Sequence, residues 1–127
     1  MLFKKFQGVE MRKLLLLAVA STLSAGVWAD CFSIDSSTDK RECLQKKLVI
    51  ADKQLLSAYQ ENLGTTTPET KQQLIKAQRL WVQYKEADCF YEANRMDDRT
   101  GFASNQLACL LDKSISREKE LRERLNN

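Results

Sequence analysis

Apolar residues recur every three or four positions through three long segments of the chain, the period of an amphipathic helix. In the first segment Leu44, Leu48, Ala51, Leu55, Ala58 and Tyr59 follow at those spacings. Asp39 is placed to cap this helix, with Glu42 three residues on in a capping-box pattern, and Gly64 is placed to end it. Thr65, Thr66 and Thr67 then make a short turn. Thr66 or Thr67 caps a second helix running from about Pro68 to Arg95, with the proline in its first turn, where a missing N–H costs little. Residues 96–103 break the pattern and read as a loop. A third helix starts near Ser104 and carries Leu107, Leu110, Leu111, Ile115, Leu121 and Leu125. Its charged end, Arg117 to Arg124, reads as a solvated helix terminus with internal ion pairs.

The middle of the second helix, Ala77 to Cys89, contains no Gly or Pro and is rich in strong helix formers. On a helical wheel Leu74, Ala77, Leu80, Trp81, Tyr84 and Tyr91 share one broad arc, and Ile75, Val82 and Cys89 form a second stripe. Two stripes predict a helix lying between two neighbours. Trp81 and Tyr84 are then expected as core residues.

The chain has four cysteines, Cys31, Cys43, Cys89 and Cys109. An even number in a small exported domain predicts two disulfides. Four cysteines allow three connectivities. Local closure favours Cys31 with Cys43. Cys89 and Cys109 are equidistant from Arg99 at the middle of the 96–103 loop, so a helical hairpin folded there sets them at one height. Because Cys109 lies beside the Leu107–Ile115 stripe, that bridge is expected at an edge of the helix pair, outside its core. The short connections favour antiparallel neighbours. The expected fold is all-α: a small antiparallel bundle of three main helices with two disulfides, forming one domain over residues 30–127.

The N-terminal segment differs from the rest. Met11-Arg12-Lys13 leads into Leu14–Ala20, and small residues follow up to Val27-Trp28-Ala29. A basic start, a short apolar run and a small-residue end predict a signal peptide cleaved after Ala29. The apolar run is shorter than the ~20 residues of a spanning helix. Asp30 before Cys31 does not suit lipidation, and Met11 is an alternative start. Of the formal net charge of +3, all falls in residues 1–29, so residues 30–127 are neutral overall. No basic field is present to attract nucleic acid or anionic lipid. The sequence has no histidine, the commonest general base and transition-metal ligand. No Cys-x-x-Cys spacing suggests zinc. Neither a metal nor a cofactor is expected, and no nucleophile–base motif stands out for an enzyme.

Taken together, Cys31, Cys43, Leu48, Asp52, Leu55, Tyr59, the run Ala77-Gln78-Arg79-Leu80-Trp81, Tyr84, Ala87, Cys89, Cys109, Arg117 and Leu121 resemble the LprI-type lysozyme-inhibitor N-terminal domain family. The most specific part is the core motif Gln78, Arg79, Trp81 and Tyr84 with its following cysteine. The resemblance implies a helical, exported bacterial protein that inhibits lysozyme through a protein–protein contact. Unlike in the family's namesake, neither a lipidation signal nor a domain after the helices is expected here. An inhibitor must reach the paired carboxylates of a muramidase cleft, and the candidate segment for this is the loop with Asp97, Asp98, Arg99 and Phe102. Arg99 would pair with a catalytic carboxylate, and Arg79 with Gln83 marks the alternative surface. The competing reading is a structural, adaptor or toxin-immunity module with another envelope partner.

Overall fold

The computed structural model describes residues 28–96 and 101–127. Most of the expected signal segment lies outside the described residues, as do Asp97, Asp98 and Arg99. Among the described residues four helices follow in order: α1 (Ala29–Phe32), α2 (Ser37–Thr65), α3 (Pro68–Arg95) and α4 (Phe102–Leu125). No strand occurs among the described residues, and the all-α expectation with three main helices holds.

Local chemistry sets the boundaries. α2 begins two residues earlier than the pattern suggests, because Ser36 is its cap: the Ser36 hydroxyl accepts from the Asp39 N–H at 3.3 Å. Asp39 instead sits inside the first turn, where its negative charge faces the positive end of the helix dipole. At the other end α2 runs through Gly64 to Thr65, so the glycine is not the stop. The stop comes from Pro68, whose ring disfavours helical backbone at the residue before it. Thr67 is accordingly extended, with ψ 158°, and its side chain caps α3 by accepting from the Thr70 N–H. α3 spans Pro68 to Arg95 as expected, and α4 opens two residues early, at Phe102.

α4 is the central helix. It packs along α2 and along α3, whereas the backbones of α2 and α3 hardly approach one another. The expected place of α3 between two neighbours is therefore corrected: that place belongs to α4. One flank of α3 faces α4 through Leu74, Trp81, Cys89 and Ala93, and its other flank is bare.

The core has two parts. Leu44 and Ala51 of α2 meet Leu111 of α4 and Cys31 of α1, with Leu48, Leu107 and Ile115 packed against them. Nearer the α2–α3 turn, Leu55 and Ala58 meet Leu74 and Leu121, flanked by Tyr59, Leu63 and Trp81. The apolar stripe expected on the first helix thus faces inward. Both disulfides pair as expected, Cys31 with Cys43 and Cys89 with Cys109. Cys89 is buried but belongs to neither core cluster, so the second bridge sits beside the core and clamps α3 to α4.

Polar ties complete the seams. The buried Ser114 hydroxyl donates to the Asp52 carboxylate at 2.7 Å, linking α4 to α2. The Asn62 amide donates to the carbonyls of Ala58 and Leu121 at 2.9 and 2.8 Å, tying the end of α2 to α4. A buried amide left without such partners would cost about 1–3 kcal/mol, so these bonds pin the register of the two helices.

Candidate partner-binding surface

The expected core motif divides between two sides of α3. Gln78 and Trp81 face α4. There the Arg117 guanidinium, only 7% exposed, donates through Nε to the Gln78 amide oxygen at 3.1 Å and through Nη1 to Glu120 at 2.9 Å. The same guanidinium lies 5.9 Å from the centre of the Trp81 ring, and the Lys85 ammonium lies 4.9 Å from it. Trp81 is half-buried, and these cations sit on ring density that favours them.

Arg79 lies on the side away from α4 and Tyr84 at the edge of the α4 seam, both exposed. Tyr84 is not a core residue: it is 57% exposed. Its hydroxyl donates to the Asp88 carboxylate at 3.4 Å, and the Lys113 ammonium lies 4.8 Å from its ring centre. Lys113 also pairs with Asp88 at 2.8 Å. The Lys113 hydrogen bond holds the Asp88 carboxyl below the usual carboxylate range, and the same bond raises Lys113. This ion pair sits beside the Cys89–Cys109 bridge, so two different bonds join α3 to α4 at one level.

Leu80, Tyr84, Ala87 and Tyr91 succeed one another at spacings of four, three and four, which is one helical stripe. Leu80 is 56% exposed and Tyr91 60% exposed. Phe90 and Met96 are exposed as well, and the Phe90 ring meets Phe102 edge-on at 5.6 Å. Lys76, Arg79 and Gln83 border the stripe on one side. Contiguous exposed apolar surface rimmed by polar residues is a mark of protein contact, and tyrosine is enriched at such surfaces.

Residues 30–121 match the family described as lysozyme inhibitor LprI. The chain belongs to the LprI family. Comparisons with curated proteins and with solved structures return no match. The residues that carried the LprI resemblance are mostly ties between helices: Asp52 on Ser114, Gln78 and Trp81 on Arg117, and the paired cysteines. Of the four residues named for the expected contact loop only Phe102 is described, and its ring packs on Phe90.

Two features of this LprI-family fold escaped the sequence pattern. Arg117 read as part of a solvated charge run. It falls three residues after Ser114 and four before Leu121, both buried, and that spacing was the available signal. Arg117 does pair with Glu120, and Arg122 with Glu118, as expected of the run, but Arg122 also reaches Glu61 of α2. The bare stripe is hidden in the pattern because Leu80, Tyr84 and Tyr91 fall on the arc expected to face a core, which α3 has on one flank alone.

The four cysteines are all paired, which fits an extracytoplasmic location. No helix among the described residues is long and apolar enough to cross a membrane.

Proposed function

We propose that this LprI-family protein is exported to the periplasm, loses its first 29 residues, and blocks a lysozyme by binding it through the outward face of α3. The observation that carries the reading is the stripe Leu80, Tyr84 and Tyr91, exposed on a helix of an inhibitor family. The family match begins at residue 30, the first residue expected after cleavage. Arg79 beside the stripe supplies the cation that an acidic muramidase cleft would attract. The helix is rigid, held by the Cys89–Cys109 bridge and the Asp88–Lys113 pair, so little ordering cost is added on binding. The mode of action is steric blockade rather than catalysis.

The test is calorimetric titration of a lysozyme with the exported protein and with two variants. Leu80→Ala combined with Tyr91→Ala should weaken binding by about 2 kcal/mol or more, the range of interface anchors. Arg99→Ala addresses the 96–103 segment. Lost binding in Arg99→Ala alone moves the contact to that segment. Tight binding to another envelope protein, with none to any lysozyme, favours the adaptor or toxin-immunity reading.

A further inference from the structure

We propose that the outward face of α3 is the seam of a symmetric dimer, in which the α3 helices of two copies of this chain pack antiparallel. Ala77, Leu80, Tyr84, Ala87, Tyr91 and Asn94 follow one another at alternating spacings of three and four, the a and d positions of a heptad. All six are exposed. The helix packs on α4 through another flank, that of Leu74, Trp81 and Cys89. α4 reaches the seam at one edge, where Lys113 lies over the Tyr84 ring. At 1.5 Å per residue the seam runs about 25 Å along the helix.

Register and charge, two independent features, make the occupant a second copy. Antiparallel packing sets each a position against a d position of the other helix. Across a two-fold axis Leu80 then meets Tyr91 of the other copy and Tyr84 meets Ala87, so large residues face smaller ones. The axis of this register falls between Lys85 and Glu86. The charge of α3 changes sign at the same point. Residues 70–85 hold Lys71, Lys76, Arg79 and Lys85 and no acid, whereas residues 86–94 hold Glu86, Asp88 and Glu92 and no base. In an antiparallel pair the basic half of each helix faces the acidic half of the other. In a parallel pair like charges would meet. Asp88 and Glu92 also hold Lys113 and Arg95 of their own chain, so the attraction acts between halves and sets direction and register more than affinity. Residues 30–127 are neutral overall, so net charge does not hold two copies apart.

The inference does not rest on lysozyme binding, but both use one surface, so a paired copy has its lysozyme-binding face covered. Sedimentation equilibrium of the exported protein over a range of concentrations tests it. The wild type should pass from monomer to dimer as concentration rises, and less readily at high salt. Ala87→Arg, which sets a bulky charge in the central layers, should weaken the dimer by about tenfold or more. Lys76→Glu with Arg79→Glu should do the same, and so should Glu86→Lys with Glu92→Lys. An equimolar mixture of these two charge-reversed proteins should pair again, because each supplies the half that the other now needs. Melting curves check that every variant folds. A monomer at every concentration overturns the inference. So does a dimer that Ala87→Arg or either charge reversal leaves intact, or a mixture that fails to pair. Dimerisation without lysozyme binding leaves the inference standing and removes the lysozyme reading. Lysozyme binding by a strictly monomeric chain does the reverse.

Discussion

Trp81 illustrates how far residue type leads at the residue scale. A tryptophan amid helix formers suggests a core anchor, and its ring does pack on the Leu55–Leu121 cluster. Its partial exposure was not legible, because it follows from α3 having a single packed flank. Trp81→Ala should therefore cost about 2–3 kcal/mol, below or at the foot of the usual range for a fully buried large aromatic, with the loss of the Arg117 and Lys85 contacts included. Denaturant melts read this directly. Asp88 carries a pH dependence of definite sign. Its carboxyl titrates lower in the folded protein than in the unfolded chain, chiefly because Lys113 bonds it. That contribution is complete above the ordinary carboxylate range near pH ~4 and is lost as pH falls through the lower folded value. Lys113 is raised, so its share is lost only as pH rises above ~10. Asp88→Asn should thus be less stable than the wild type at neutral pH, and the gap should close in acid. A gap that stays constant down to strongly acid pH would remove the ion pair from the account.

At the scale of the element, the helix spans and disulfides were legible because they depend on local chemistry: period, caps, the single proline and cysteine spacing. The exact stop of α2 was not. A glycine near a helix end suggests a left-handed terminus, yet Gly64 lies inside the last turn, and a Cβ built there meets nothing within 4 Å. The two readings give opposite signs for one substitution. Gly64→Ala should stabilise the protein by about 0.5 kcal/mol, by restricting the unfolded chain, whereas a left-handed position would make it destabilising. Thermal melts decide. The Cys89–Cys109 bridge has a different consequence. The second half of α3 is fastened to α4, so Cys89→Ser with Cys109→Ser should cost about 3 kcal/mol on a loop-entropy basis. Hydrogen exchange should quicken mainly in the second half of α3, with the α2–α4 seam still protected.

For the whole molecule, the decisive feature is which helix is central, and the sequence did not disclose it. α4 earns that place through Leu111, Ser114, Arg117 and Leu121, two of them polar, which a hydrophobic count does not recognise. α3 has more exposed large apolar residues than its peripheral position needs for folding. Leu80, Tyr84 and Tyr91 contribute little to the core and are available to a partner. The most direct measurement is cell-wall lysis by lysozymes of several classes in the presence of the exported protein. The wild type should suppress lysis by at least one of them. The protein carrying Leu80→Ala and Tyr91→Ala should suppress it at least tenfold less well, while melting within about 0.5 kcal/mol of the wild type, as surface variants do. Lysis unaffected by the wild type in every class, or suppressed equally by the variant, would contradict the account.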